Sequence, residues 1–142
     1  MTNKTLQSDI LTFIASYGEA ALQEAMQQYI DGKQEYICKN RSYTVKIRIR
    51  DISYIKIEGH NITIHTSQGM YEKYGTLGAE LNLLSSHGFL KCNQSCIVSL
   101  DKIKAIQNND ILMMDDTVLH ISRSCAPKIL AVFHGKSRNA KS

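Results

Sequence analysis

The sequence predicts a mainly β domain with a helical segment ahead of it, and three observations carry that expectation. From residue 36 onward β-branched and charged residues alternate with a period of two; turn-forming pairs such as Gly59-His60, Asn108-Asn109 and Asp115-Asp116 recur between the alternating runs; and before residue 36 the apolar period is that of a helix. The expected division is a helical segment over 1–35, a β domain over 36–134 and a short basic tail over 135–142.

In the first segment Ser8 can act as an N-cap, after which Ile10, Phe13, Ile14 and Tyr17 fall on one helical face. Gly18 interrupts. A second set, Leu22, Ala25, Met26, Tyr29 and Ile30, continues to Asp31-Gly32, a stop signal in which glycine takes the left-handed cap. This describes either a helical hairpin or one helix kinked at Gly18. Its apolar stripe has to be covered, by the β domain or by a second copy of the chain.

In the β domain, Val45, Ile47 and Ile49 alternate with Lys46, Arg48 and Arg50, which places the aliphatic residues on a core face and the cations on the other. Residues 52–58 and 61–66 read as two strands joined through Gly59-His60, and 69–74 as a further strand after Ser67-Gln68. Leu77, Leu81 and Leu84 suit a short helix ending before Gly88. Strands resume over 96–100, 103–106, 111–114 and 118–121, and 125–133 is expected to add a last turn or strand near Pro127. The polar tail from Lys136 to Ser142 is expected to be disordered.

Charge divides along the same boundary. Residues 1–35 carry Lys4 and Lys33 against five carboxylates, a net −3, whereas residues 36–142 carry 15 basic and 8 acidic side chains, a net +7. A basic domain has the field of a polyanion binder, since each cation that meets a phosphate releases condensed counterions. No apolar run is long enough for a membrane span and no signal core follows Met1, so the expectation is a cytoplasmic protein that is not integral to a membrane. Cys38, Cys92, Cys96 and Cys125 lack the spacing of common structural zinc sites, so free thiols, no metal and no cofactor are expected. Nucleophile–base pairs, paired carboxylates and phosphate-cradling loops are not identifiable, so an enzyme is not expected.

Three motifs, in order, resemble the LytTR family of DNA-binding domains. The pair Asp51-Ile52 and the strand to His60 resemble its opening; Phe89-Leu90-Lys91-Cys92-Asn93-Gln94-Ser95-Cys96-Ile97-Val98 resembles its most distinctive run, a phenylalanine followed by a polar dipeptide, serine and an apolar strand; and Asp115 to Arg123 resembles its closing hairpin, which ends in serine-arginine. The resemblance implies an elongated domain of about ten short strands in three antiparallel sheets with one small helix. It also implies that loops at a sheet edge, not a recognition helix, enter successive major grooves.

Carried over residue by residue, the resemblance implies base contacts at His60, at Asn93 and Gln94, and at Arg123. Arginine can grip guanine O6 and N7 in two hydrogen bonds, and an amide can do the same to adenine N6 and N7. Lys46, Arg48, Arg50, Lys91, Ser95 and Lys102 are the candidate phosphate contacts. The sequence departs from the family's commoner pattern at Gln94, where arginine or asparagine is frequent, and at Ser99, where asparagine is frequent. Without the motifs each residue has a structural alternative: Arg123 an edge cation, His60 a turn residue, Asn93 and Gln94 turn formers, and the cations of 46–50 a solvated strand face.

The expected function is that of a bacterial transcription regulator binding double-stranded DNA, as a homodimer on direct repeats. The 35 residues ahead of the β domain are too few for a receiver domain, so input is expected through the N-terminal helices, by self-association or by docking an inhibitory protein. The alternative is a protein-interaction or inhibitor module that keeps the fold without specific DNA binding.

Overall fold

A computed structural model describes Leu11 and residues 15–141, the side chains of 31, 32 and 136–141 excepted. Among these residues ten strands form three antiparallel sheets. The expected fold class is therefore the observed one. A two-stranded sheet holds β1 (Glu35–Lys39) and β2 (Thr44–Arg48); a five-stranded sheet runs β5-β4-β3-β7-β6; and a three-stranded sheet runs β10-β9-β8. Here β3 is Ile52–Glu58, β4 Asn61–Thr66, β5 Gly69–Tyr74, β6 Phe89–Asn93, β7 Cys96–Ser99, β8 Ile103–Gln107, β9 Asp110–Met113 and β10 Val118–His120. Helices α1 (Glu19–Lys33), α2 (Leu77–Leu84) and α3 (Ala126–Lys141) and the 3-10 turns Ile49–Asp51, Ser85–His87 and Leu100–Lys102 accompany the strands.

The five-stranded sheet is the middle layer, and each of its faces carries a buried cluster. On one face Ile55, Ile62, Ile64, Phe89 and Ile97 pack with Tyr36, Cys38 and Ile47 of the small hairpin and with Leu77 and Leu84 of α2. On the other, Tyr54, Cys92, Cys96 and Val98 pack with Ile111, Met113 and Leu119 of the third sheet and with Ile129 of α3. A regular strand would send Ile52 and Tyr54 to the same side. A register shift between them, at the β3–β4 pairing, sends Ile52 to the first cluster and Tyr54 to the second.

Local chemistry explains most of the element ends. The hairpin turn between β3 and β4 needs a left-handed residue, which Gly59 supplies at φ 65°. Thr76 caps α2 by accepting the Ala79 N–H on Oγ1 at 3.2 Å. Asn40 builds the β1–β2 turn, its Oδ1 accepting the N–H groups of Ser42 at 2.8 Å and Tyr43 at 2.9 Å.

Several expectations are corrected. Ile49 still bonds its N–H to the Gln34 carbonyl at 3.0 Å, the next pair of the β1–β2 ladder, but its own carbonyl accepts the Ile52 N–H and closes a single 3-10 turn, Ile49–Asp51; it packs beside the first cluster. The segment expected as a last turn or strand is helix α3, whose backbone continues to Lys141 through the stretch expected to be disordered. Pro127 lies in its first turn, where a missing N–H costs nothing, and Ala126, Ile129 and Phe133 make its inward face. Gly18, at φ 92°, breaks the N-terminal helical run, and its carbonyl accepts the Leu22 N–H at 3.3 Å. Helix α1 passes Gly32 and ends at Lys33. The N-cap expected at Ser8, with Ile10, Phe13 and Ile14, lies outside the described residues.

Among the described residues Glu80 is the one charged side chain that is buried, at 2% exposure. It accepts a hydrogen bond from Tyr36 Oη and pairs with Lys73 Nζ at 3.3 Å, tying α2 to β1 and β5. Burial, and then the adjoining carboxylate, push the Tyr36 phenol far above its usual range, so it stays a donor. Glu80→Ala strands the phenol and should cost about 1–3 kcal/mol. A melting curve unchanged from wild type would show that the pair contributes nothing.

Candidate nucleic-acid interface

The pairing order of the middle sheet decides which loops share an edge. Strand β3 lies beside β7 with Lys56 opposite Cys96, and the Ile57 N–H donates to the Ser95 carbonyl at 2.9 Å. The β3–β4 turn holding His60 and the β6–β7 turn holding Gln94 therefore emerge from the same end of the sheet. The end of β5 joins them there, since the Gly75 N–H donates to the His60 carbonyl at 3.0 Å.

The closing segment is brought to that edge by two hydrogen bonds. Asn93 Nδ2 donates to the His120 carbonyl at 2.8 Å, and the Ser122 N–H donates to the Cys92 carbonyl at 2.9 Å. The chain between β10 and α3 thus runs beside the end of β6, and Arg123 stands exposed on it. His60, Gln94 and Arg123 form a row in the order of the strands, all three exposed. With strands about 4.8 Å apart, the first two loops are roughly 10 Å from centre to centre.

Asn93 has a different part. Its Oδ1 accepts the Ser95 N–H at 2.9 Å and the Ser95 hydroxyl at 3.0 Å, while its Nδ2 holds His120. The amide is committed on both ends to building the turn, and it leaves Gln94 at the tip. Ser95 is exposed beside it, with its hydroxyl turned to Asn93.

The expected phosphate contacts are not gathered in one place. Lys91 is exposed on β6, two residues before Asn93. Lys46 and Arg48 are on the outward side of the β1–β2 hairpin, away from Ile47. Arg50 and Lys102 come together around a cleft with Asp101 and His87 at the opposite end of the middle sheet, where β3 begins and β7 ends.

Sequence reading missed a groove of about 700 Å³ on the α3 side of the sheet, between β3–β5 and β10. Lys56, His65 and His120 line it along with Glu58 and Glu72. The His65 ring stacks on Tyr54 with centroids 4.2 Å apart, and burial, then nearby Lys56, push its pKa down, so the imidazole is neutral at pH 7. The available signal was alternation: Lys56 and Cys96 are register partners, but only the register puts them under one roof.

Cys92 and Cys96 are buried beneath this turn, with Cys92 Sγ donating to the Cys96 carbonyl at 3.6 Å. Among the described residues no three His, Cys, Asp or Glu side chains converge as metal ligands. No described helix is long and apolar enough to cross a membrane.

Known proteins give the arrangement its family. The family model of the LytTr DNA-binding domain matches residues 42–134. Among solved structures, the LytTr DNA-binding domain of a Bacillus cereus protein superposes with a TM-score of 0.60 at 20% identity, covering 70% of this chain and 98% of that one. No curated protein matches the sequence. The family match spans well over half of the chain, from the β1–β2 turn through most of the inward face of α3, and on that ground the chain belongs to the LytTR DNA-binding domain family.

Proposed function

We propose that this protein is a sequence-specific transcription regulator that reads double-stranded DNA through the row of loops carrying His60, Gln94 and Arg123. The observation that carries the reading is that row: three exposed side chains able to hydrogen-bond base edges, held at one sheet edge by backbone pairing. A loop set fixed this way needs no recognition helix, and none of the described helices supplies one of the three residues. Gln94 and Arg123 have the chemistry for two-point contacts with adenine and guanine in a major groove, and His60 donates to a base acceptor. Asn93 positions Gln94 without reading a base. Lys91 and Ser95 flank the tip and serve phosphates, while Arg50 and Lys102, at the far end, contribute field more than contact. The protein acts in the cytoplasm, where bacterial DNA lies.

A second observation bears on assembly. Along α1, Met26, Tyr29 and Ile30 are 53%, 67% and 48% exposed, an apolar face that the described β domain leaves uncovered. Large exposed apolar faces mark interaction surfaces. Self-association through α1, with two domains on direct repeats, accounts for it; docking of an inhibitory protein on the same face is the competing occupant. Met26→Glu together with Tyr29→Glu should then abolish cooperative binding to paired sites and leave single-site affinity unchanged. Equal cooperativity in wild type and variant would remove α1 from the assembly.

Base reading and phosphate holding separate in two titrations. If roughly six phosphates are met, affinity should fall about a thousandfold between 50 and 200 mM salt. Arg123→Ala should cost about 1–3 kcal/mol on the specific site and much less on scrambled DNA, whereas Lys91→Ala should weaken both alike and flatten the salt slope by about one unit. An equal loss on both duplexes for Arg123→Ala would make it a phosphate anchor, not a reader.

A further inference from the structure

The β1–β2 turn was not among the residues singled out from the sequence, and Lys39 and Arg41 precede the segment that the family model matches. The structure docks this turn firmly. Asn40 Nδ2 donates to the Glu72 carbonyl at 2.6 Å, and the Glu72 N–H donates to Tyr43 Oη at 2.8 Å. The Asn40 N–H closes the turn on the Tyr43 carbonyl at 2.9 Å. The turn is therefore ordered before any partner arrives.

Its place is the end of the row. Glu72 belongs to β5, the outer strand on the His60 side, and the turn shares an open cleft of about 630 Å³ with Asn61 and Tyr74, the residues that pair across β4 and β5 next to His60. Crossing the edge from there, the loops come in the order Arg41, His60, Gln94, Arg123. The five strands span four spacings, roughly 19 Å, or about six base-pair steps at 3.4 Å each. Arg41 stands outside the bases that His60 could reach.

Charge selects what the turn could hold. Lys39, Arg41 and Ser42 are exposed, and neither cation takes part in an ion pair among the described residues. Lys73, in the same cleft, is different, because Glu80 already neutralises it at 3.3 Å. Glu72 also lines the cleft, but it is one carboxylate against two unpaired cations.

We infer that the β1–β2 turn is a further DNA contact, in which Lys39 and Arg41 hold the phosphate backbone flanking the bases read from the His60 side. The inference rests on the DNA-reading function proposed above. A turn that carries no base-reading geometry of its own adds affinity and register, not sequence preference.

The test uses the full chain, the double variant Lys39→Gln/Arg41→Gln, and the control Lys104→Gln, whose lysine is paired with Asp116 on the third sheet. Each is titrated at several salt concentrations against a mixed-sequence duplex of about 30 base pairs, well beyond the length of the sheet edge. Phosphate-ethylation interference is then mapped on the best duplex selected from a random pool. Losing two contacts should flatten the logarithmic salt slope by about two units and shrink the affinity drop between 50 and 200 mM roughly tenfold. Ethylation of the phosphates flanking one end of the site should block wild type and control but not the double variant.

Because these side chains are exposed, the melting temperatures should agree within a few degrees. A double variant with the wild-type slope and the wild-type interference pattern overturns the inference. So does a changed sequence preference, which would make the turn a base reader. If the wild-type chain binds neither duplex, the failure lies with the DNA-reading function itself.

Discussion

The pairing of β3 with β7 is the constraint on which the rest depends. It joins residues about forty apart in sequence, Tyr54 with Val98, Ile55 with Ile97 and Lys56 with Cys96, and so brings together two hairpins that local propensity would leave separate. Ile55 and Ile97 are both fully buried on one face, while Tyr54 and Val98 are buried on the other. Burying each aliphatic side chain contributes about 1.5–3 kcal/mol, so slipping the register by one residue would exchange the two faces and forfeit both clusters. The same register sets the β3–β4 and β6–β7 turns side by side. Stability and the placement of the proposed interface thus depend on one ladder.

A sheet covered over much of both faces leaves its edges, its ends and the open groove over β3–β5 for function. The helices and the two smaller sheets cover the faces, and the turns at one end stay in solvent. Two irregularities serve this arrangement. The shift between Ile52 and Tyr54 divides β3 between the clusters, and the one between Lys91 and Asn93 sets Asn93 opposite Cys96, from where its amide reaches across to His120. Deleting either would re-aim the side chains that follow it. The buried Tyr36–Glu80–Lys73 group fastens the first hairpin and α2 to the edge strand by polar contacts, which are more demanding of geometry than apolar packing.

Strand positions were legible because alternation and turn chemistry agree along most of the chain. The strands over 52–58, 61–66 and 69–74 fall where the pattern puts them, and the short helix falls between Thr76 and Ser85 as the leucine spacing requires. Strand β1 was harder to see, since its Tyr36 and Cys38 are recognisable as inward only once β2 lies beside them. Helix α3 was hidden by Pro127, which reads as a breaker in isolation but is harmless in a first turn. For the proposed interface, the motifs pointed to His60, Gln94 and Arg123, but gave no sign that the Asn93 amide bonds within the turn. A side chain's hydrogen-bond partners 27 residues away are a property of the tertiary register. The docked β1–β2 turn escaped for the same reason.

The central claim is that one ordered edge of a β sheet, with its loops in the sequence His60, Gln94, Arg123, reads DNA. Selection of bound duplexes from a random pool by the wild-type chain and by Gln94→Ala tests it most directly. The account predicts a recurring site from the wild-type chain, and from the variant a site that relaxes at a block of base pairs in its interior while the flanking preferences persist. Recovery of no common site by the wild-type chain, or of an identical site by both, would contradict it.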